Sequence, residues 1–317
     1  MAFPHGYHFD PTYGYGLERL LQIGCPDEPP DFAAFWQDRY ARALELRPEP
    51  RLSQRQDWHP AYECHDIAYR STDDFTIHGW LLIPKHGPVR RGVVVGHGYG
   101  GRDGPDYHLP VEGAAFLFPC FRGLSRSQRP PISNNPAYHV LHDIDKRDRY
   151  ILGGCAEDVW LGVSALLALF PDAAGHVGYM GASFGGGIGA LALPWDGRIR
   201  LAHLAVPTFG HVPLRLGLPT LGSGEAVRGY EQRHGHVLAT LRYYDAACAA
   251  RRTAIPVHVA AALFDPVVAP PGQFAIYNAL PGPKELFVLE AGHFDYPRQS
   301  EQDHALLQTL AHFFSPL

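Results

Sequence analysis

The stretch Tyr179-Met180-Gly181-Ala182-Ser183-Phe184-Gly185-Gly186-Gly187 constrains the fold more than any other part of the chain. Gly181-x-Ser183-x-Gly185 fits a sharp strand-to-helix turn that leaves a serine hydroxyl on its tip. Glycines two before and two after the serine let strand and helix approach where a side chain would clash. Glycine and serine are common, and an idle Gly-rich turn has the same letters, so the flanks decide. Residues 176–180 read as a short buried strand, and residues 186–193 are small and apolar enough to open a buried helix. This context makes Ser183 a candidate nucleophile.

The rest of the chain supports the same architecture. Residues 61–83 read as a hairpin turning at 71–74. Residues 91–96 and 115–118 carry continuous apolar runs, the mark of strands buried on both faces. A helix is expected at 155–169, and further strands at 199–206, 256–264 and 285–290. Strand and helix in alternation predict a mostly parallel sheet with helices on both faces. Asp31 is expected to cap a helix over 31–46, which repeats Phe32, Phe35, Trp36, Tyr40 and Leu44 at helical spacing. Residues 1–30, rich in Pro, Gly and Tyr, read as an N-terminal arm packing through Tyr7, Phe9, Tyr13 and Tyr15. Residues 31–317 read as one α/β domain, with a helical excursion over the site near 207–250.

Bulk properties exclude several classes. With 317 residues and 46% hydrophobic content the chain is long enough for one large α/β domain. A net charge of −5 with scattered basic residues gives no footprint for nucleic acid. No apolar run is read as approaching the roughly 18 residues of a membrane-spanning helix, and no signal sequence is visible. The five cysteines are odd in number, widely spaced and without a CxxC pair. Neither a disulfide framework nor a zinc site is expected, and a cytoplasmic setting fits.

A serine needs a base, and the base needs an acid to hold it. Both are sought downstream of Ser183, the acid after a later strand and the histidine after the last one. Asp265 follows the apolar run 257–264 and is the candidate acid. Asp245, Glu225 and Asp295 are rivals, set in a helix, in the excursion, and two residues from the best histidine. His293 follows the last strand through Ala291-Gly292 and is the candidate base, ahead of His304 and His312 in the C-terminal helix. The Gly-rich loop His97-Gly98-Tyr99-Gly100-Gly101 is suited to an oxyanion hole, with the backbone amides of Tyr99 and Phe184 as donors. A metal at His97, Asp103 and His108 matches no common spacing. No metal and no cofactor are expected.

With these residues in order, the chain resembles the acetyl xylan esterase / cephalosporin-C deacetylase family of α/β-hydrolases, carbohydrate esterase family 7. The resemblance runs over most of 30–317. It is carried by residues 30–36, Ile77-His78-Gly79-Trp80-Leu81, His97-Gly98-Tyr99, Phe121-Arg122-Gly123, the Ser183 elbow and Leu241-Arg242-Tyr243-Tyr244-Asp245. Phe264-Asp265, residues 274–278 and Gly292-His293 complete it. The resemblance implies a Ser183, Asp265, His293 triad with Tyr99 and Phe184 as backbone donors. It further implies a small-molecule ester substrate, a small acyl group such as acetyl, and a homo-oligomer. It suggests that the loop 207–210 lines the pocket, with Phe209 as a substrate contact. Leu124, Phe184 and Phe294 stand where the family usually has Gln, Gln and Glu. The two rings predict a more apolar pocket, with Phe294 also touching substrate. An arylesterase, a peptidase or a non-catalytic binding member of the fold are the alternatives.

Overall fold

The computed structural model describes residues 3–55 and 59–317. Nine strands form one sheet: β1 (Arg51–Gln54), β2 (Tyr62–Arg70), β3 (Thr76–Pro84), β4 (Arg91–Gly96), β5 (Ala114–Pro119), β6 (Val177–Ala182), β7 (Ile199–Ala205), β8 (Val257–Ala262) and β9 (Lys284–Leu289). Their spatial order is β1-β2-β3-β5-β4-β6-β7-β8-β9. β1, β2, β3 and β5 pair antiparallel in turn, and every pairing from β5 to β9 is parallel. β4 therefore lies between β5 and β6, and the order of connection reverses beside it. The crevice outside the carboxyl ends of strands at such a reversal is where open α/β sheets bind ligands. The loop after β4 and the turn after β6 both open there.

The apolar runs explain the layers. Every residue of β5 and of β8 is buried, as expected for strands covered on both faces. One face is covered by helices Phe32–Leu44, Ile151–Leu169, Phe184–Ala192 and Pro270–Ala279. Trp36 and Tyr40 pack edge-on against Trp160, at 6.2 and 5.1 Å between ring centroids. The other face is closed by the C-terminal helix Gln299–Phe313, whose Leu310 and Phe313 meet Val93, Phe116 and Met180.

Helix Ile151–Leu169 corrects one expectation. Its 19 residues, with mean hydropathy 1.5, are long and apolar enough to cross a membrane by length and composition. Here 83% of that stretch is buried inside the protein, which is why it is apolar all round. Its two acids are neutralised within the core. Asp158 pairs with Arg122 at 2.7 Å and Glu157 with Arg39 at 2.7 Å.

Asp31 precedes helix Phe32–Leu44 but its side chain does not cap it. Its carboxylate instead accepts from the Tyr243 hydroxyl at 2.6 Å. The N-terminal segment carries one short helix, Leu17–Leu20, and is tied down by Asn278 Nδ2, which donates to the carbonyls of Leu20 and Ile23 at 2.8 and 2.9 Å. Farther along, Cys25 Sγ and Cys248 Sγ lie 3.6 Å apart.

Candidate active site

Ser183 sits between β6 and helix Phe184–Ala192 with φ 53° and ψ −109°, a region that a non-glycine residue rarely occupies. The surrounding bonds enforce it. The Ser183 amide donates to Ala205 O on β7 at 2.8 Å, and its carbonyl accepts from Gly187 and Thr208 at 3.0 and 3.1 Å. A Cβ at Gly185 would lie 2.6 Å from the Gly96 carbonyl, so only glycine lets the helix start this close to β4.

The three candidates of the relay meet. His293 Nδ1 donates to Asp265 Oδ2 at 2.8 Å, and Ser183 Oγ donates to His293 Nε2 at 2.9 Å. Asp265 is fully buried and the His293 side chain is 25% exposed. A carboxylate only accepts, so its contact fixes the imidazole tautomer and leaves the Nε2 lone pair facing the serine. Burial alone pulls the His293 pKa down, but the hydrogen bond and charge of Asp265 outweigh it, and the net shift is upward.

Asp265 is held on every side. Oδ1 accepts from the amides of Val267 and Val268 at 2.8 and 2.9 Å, and Oδ2 also accepts from Gln273 Nε2 at 3.0 Å. Gln273 is fully buried, and its own oxygen accepts from Ala262 N on β8 at 2.8 Å. Nothing around the serine turn points to it. The available signal is a glutamine in the first turn of helix Pro270–Ala279, eight positions after the candidate acid. The rival acids are otherwise engaged. Asp245 accepts from the amides of His211 and Val212, Glu225 pairs with Arg228 at 2.6 Å, and Asp295 is exposed.

The loop after β4 is pinned by His97. Its Nε2 accepts from Phe121 N at 3.0 Å and its Nδ1 donates to Gly98 O at 2.6 Å. Burial pushes its pKa down to about 4, so the ring stays neutral. His97 O also accepts from Gly185 N at 2.9 Å, which couples this loop to the serine turn. The Tyr99 ring stacks on Phe184 at 4.0 Å and its hydroxyl donates to His139 Nδ1 at 3.2 Å. The two residues expected to supply oxyanion donors are thus locked together through their side chains.

A cavity of about 260 Å³ opens over Ser183 and His293. Gly98, Tyr99, Gly100, Pro136, Thr208, Gly222, Ser223, Val267 and Val268 line the remainder. Phe209 and Phe294 are not among them. Phe209 is buried behind Thr208, edge-on to Phe184 at 5.9 Å and under the guanidinium of Arg215. Phe294 turns to the N-terminal segment and packs on Phe264 and Phe3, at 4.9 and 5.7 Å. The Phe184 ring is fully buried beneath the loop, and Leu124 is buried too. The expected aromatic, apolar pocket is therefore not what these replacements make. The Phe184, Phe209 and Phe294 rings pack into the protein beside the site rather than lining the cavity. Val267 and Val268 were legible as the residues just past the acid. Gly222 and Ser223 belong to the stretch 207–250 expected over the site, whereas Pro136 reaches the cavity from a segment with no such signal.

Comparison with known proteins identifies the fold and the family. The model of the family described as Acetyl xylan esterase (AXE1) matches residues 17–311. The acetyl xylan esterase from Paenibacillus sp. R4 superposes with a TM-score of 0.81 at 24% identity, covering 93% of this chain and 99% of that one. Acetyl Xylan Esterase 1 from Thermoanaerobacterium sp. JW/SL YS485 gives 0.81 at 21% identity, covering 97% and 100%. A Pyrococcus horikoshii acylaminoacyl peptidase shares the fold at 0.63 and 16% identity over 80% of this chain and 41% of its own. The sheet order, the turn after β6 and a family match that spans nearly the whole chain lead to one conclusion: this is a carboxylic ester hydrolase of the α/β-hydrolase fold, and it belongs to the acetyl xylan esterase family.

Proposed function

We propose that the protein is a serine esterase that removes small acyl groups, acetyl foremost, from carbohydrate or related alcohol esters. The observation that carries this reading is the unbroken relay Asp265–His293–Ser183, both contacts under 3 Å, at the floor of a small cavity. His293 Nε2 takes the Ser183 proton as Oγ attacks the ester carbonyl. The tetrahedral oxyanion rests on the amides of Tyr99 and Phe184, and Asp265 steadies the imidazolium. The imidazolium then protonates the leaving alcohol, an acyl-enzyme remains, and water deprotonated by His293 releases the acid. A cavity of about 260 Å³ suits a short acyl chain. A homo-oligomer and a cytoplasmic setting are part of the same proposal.

The test is a panel of aryl esters and acetylated sugars, with a fluorophosphonate probe in parallel. Acetyl esters are expected to turn over fastest, with kcat/KM falling from acetyl through butyryl to octanoyl, and the probe to label Ser183. A preference for octanoyl esters, or no labelling of folded protein, overturns the reading.

The pH profile gives a second check. The base works only as neutral imidazole, so activity is lost as pH falls through the His293 pKa. That pKa is raised by Asp265, so the acid limb of kcat/KM should lie above the ordinary histidine value of about 6.5. Asp265→Asn should lower the limb and cut kcat by about 10⁴-fold. A profile flat from pH 5 to 8 argues against a histidine base.

A further inference from the structure

The family match begins at residue 17, yet the segment before it reaches the catalytic loops. Asp265 is fully buried, and its amide donates to Pro11 O at 3.2 Å. A buried N–H needs a partner, and here the turn at residues 11–14, before the family match, supplies it to the candidate acid. The neighbours of the acid and the base are gripped by the same segment. Phe264 precedes Asp265 and Phe294 follows His293, and their rings meet at 4.9 Å. Phe3 covers both, at 5.3 Å from Phe264 and 5.7 Å from Phe294. Tyr7 adds an edge contact to Phe294 at 6.3 Å.

A third wall of the cavity is held as well. The Tyr13 hydroxyl donates to Pro219 O at 2.7 Å, just before Gly222 and Ser223 in the excursion. Leu221 N in turn donates to Pro266 O at 2.9 Å, which joins that turn to the acid loop. One short segment thus converges on the acid loop, the histidine loop and the excursion turn, which otherwise come from distant parts of the chain. Residue 10 starts the turn that aims Pro11 and Tyr13: Asp10 accepts from Thr12 N at 2.9 Å and from Thr12 Oγ1 at 2.7 Å.

We infer that residues 3–16 form a strap that positions the catalytic acid and base, with Phe3, Tyr7 and Tyr13 as its positioning residues. The inference rests on the esterase reading above. None of the three touches the cavity, so they act through Phe264, Phe294 and Pro219 on the alignment of Asp265 with His293. Misalignment affects the chemical step more than the binding of a small ester, since the lining residues remain.

The test uses the full chain. Phe3→Ala combined with Tyr7→Ala is expected to lower kcat for an acetyl aryl ester by about 10–100-fold with KM changed less than about threefold. The acid limb of the pH profile should move toward the ordinary histidine value as the contact with Asp265 loosens. The low-field proton resonance of His293 Nδ1 should broaden or shift upfield, a readout that needs no turnover. Phe3→Leu combined with Tyr7→Phe keeps the covering surface and should restore kcat. Tyr13→Phe removes only the bond to Pro219 and should cause a smaller loss of the same kind. Wild-type kcat and an unmoved resonance in the double alanine variant overturn the strap. So does a kcat loss that merely tracks a fall in thermal stability, with the pH limb and resonance unchanged. Absence of turnover and labelling in the wild type is a different failure: it sinks the esterase reading, while the resonance still decides whether the strap holds Asp265 and His293 together.

Discussion

Ser183→Ala is expected to reduce kcat by about 10⁴–10⁶-fold and to leave the fold and its melting temperature nearly unchanged. The asymmetry follows from how the serine is held. Its backbone is fixed by Ala205, Gly187 and Thr208, contacts that alanine keeps. Its positive φ of 53° strains alanine as much as serine. Its hydroxyl is hydrogen-bonded to His293 Nε2 alone among the described residues, on the partly exposed side of the imidazole. Losing that bond leaves a ring nitrogen that water reaches, so the stability change should stay within about 0.5 kcal/mol. In the proposed mechanism the chemistry has no substitute, because no other group forms the acyl-enzyme. The measurement is kcat for an acetyl aryl ester, with fluorophosphonate labelling and a thermal melt on the same preparation. An alanine variant that keeps near-wild-type turnover removes Ser183 from the mechanism.

The parts of the molecule that could be read from sequence are those whose own residues decide their fate. Strands β4 and β5 are legible because continuous apolar runs suit a doubly covered sheet, and nearly all of their residues are buried. β1 is not, because Arg51-Leu52-Ser53-Gln54 holds one apolar residue and becomes a strand only by pairing with β2 at the edge. The sequence pattern places the start of helix Ile151–Leu169 four residues late, at 155. Gly153 and Gly154 argue against helix on propensity, but a Cβ there would lie 2.4 Å from the guanidinium of Arg39 and 2.1 Å from that of Arg122. The buried ion pairs on Asp158 and Glu157 select glycine, and that cause lies outside the helix. The same holds for Asp31, a good capping residue by type, whose carboxylate is claimed by Tyr243 from 212 positions away.

The candidate site divides in the same way. Ser183 is marked by its Gly-x-Ser-x-Gly turn, and Asp265 and His293 by their places after later strands. Side-chain direction is set by tertiary packing and was not legible. Phe184, Phe209 and Phe294 all stand next to site residues in the chain, yet each ring points into packed protein. Gln273 and Pro11 are the reverse case: distant from the elbow in sequence, and in direct contact with Asp265. The residues at which this chain departs from the usual family pattern therefore act on what stands behind the loops. Phe294 is the clearest instance, since it packs on Phe3 and Tyr7 and does not line the cavity.

Gly292→Ala should show how little room the acid has. A methyl group at residue 292 would lie 2.5 Å from Asp265 Oδ2, 2.9 Å from Val206 Cγ1 and 3.1 Å from Ala262 Cβ. Two of these three neighbours resist displacement. Ala262 ends the buried strand β8, and Val206 already sits at φ 39° with its amide bonded to Ala260 O at 2.7 Å. The carboxylate is what remains to move, and Oδ2 is the oxygen that orients His293. Its own restraints from Val267, Val268 and Gln273 then work against any new position that keeps the imidazole. A shift of about 1 Å costs on the order of 10²-fold in rate, and full loss of the orienting bond about 10⁴-fold, so kcat should fall between those limits. KM for a small acetyl ester should change little, because Gly292 does not line the cavity. Overpacking should also destabilise the fold by about 1–3 kcal/mol, which a denaturant titration resolves from the kinetic effect. If the alanine variant turns over at the wild-type rate, the histidine loop moves as a unit with the acid, and the tight packing around Oδ2 is not what holds the relay in register.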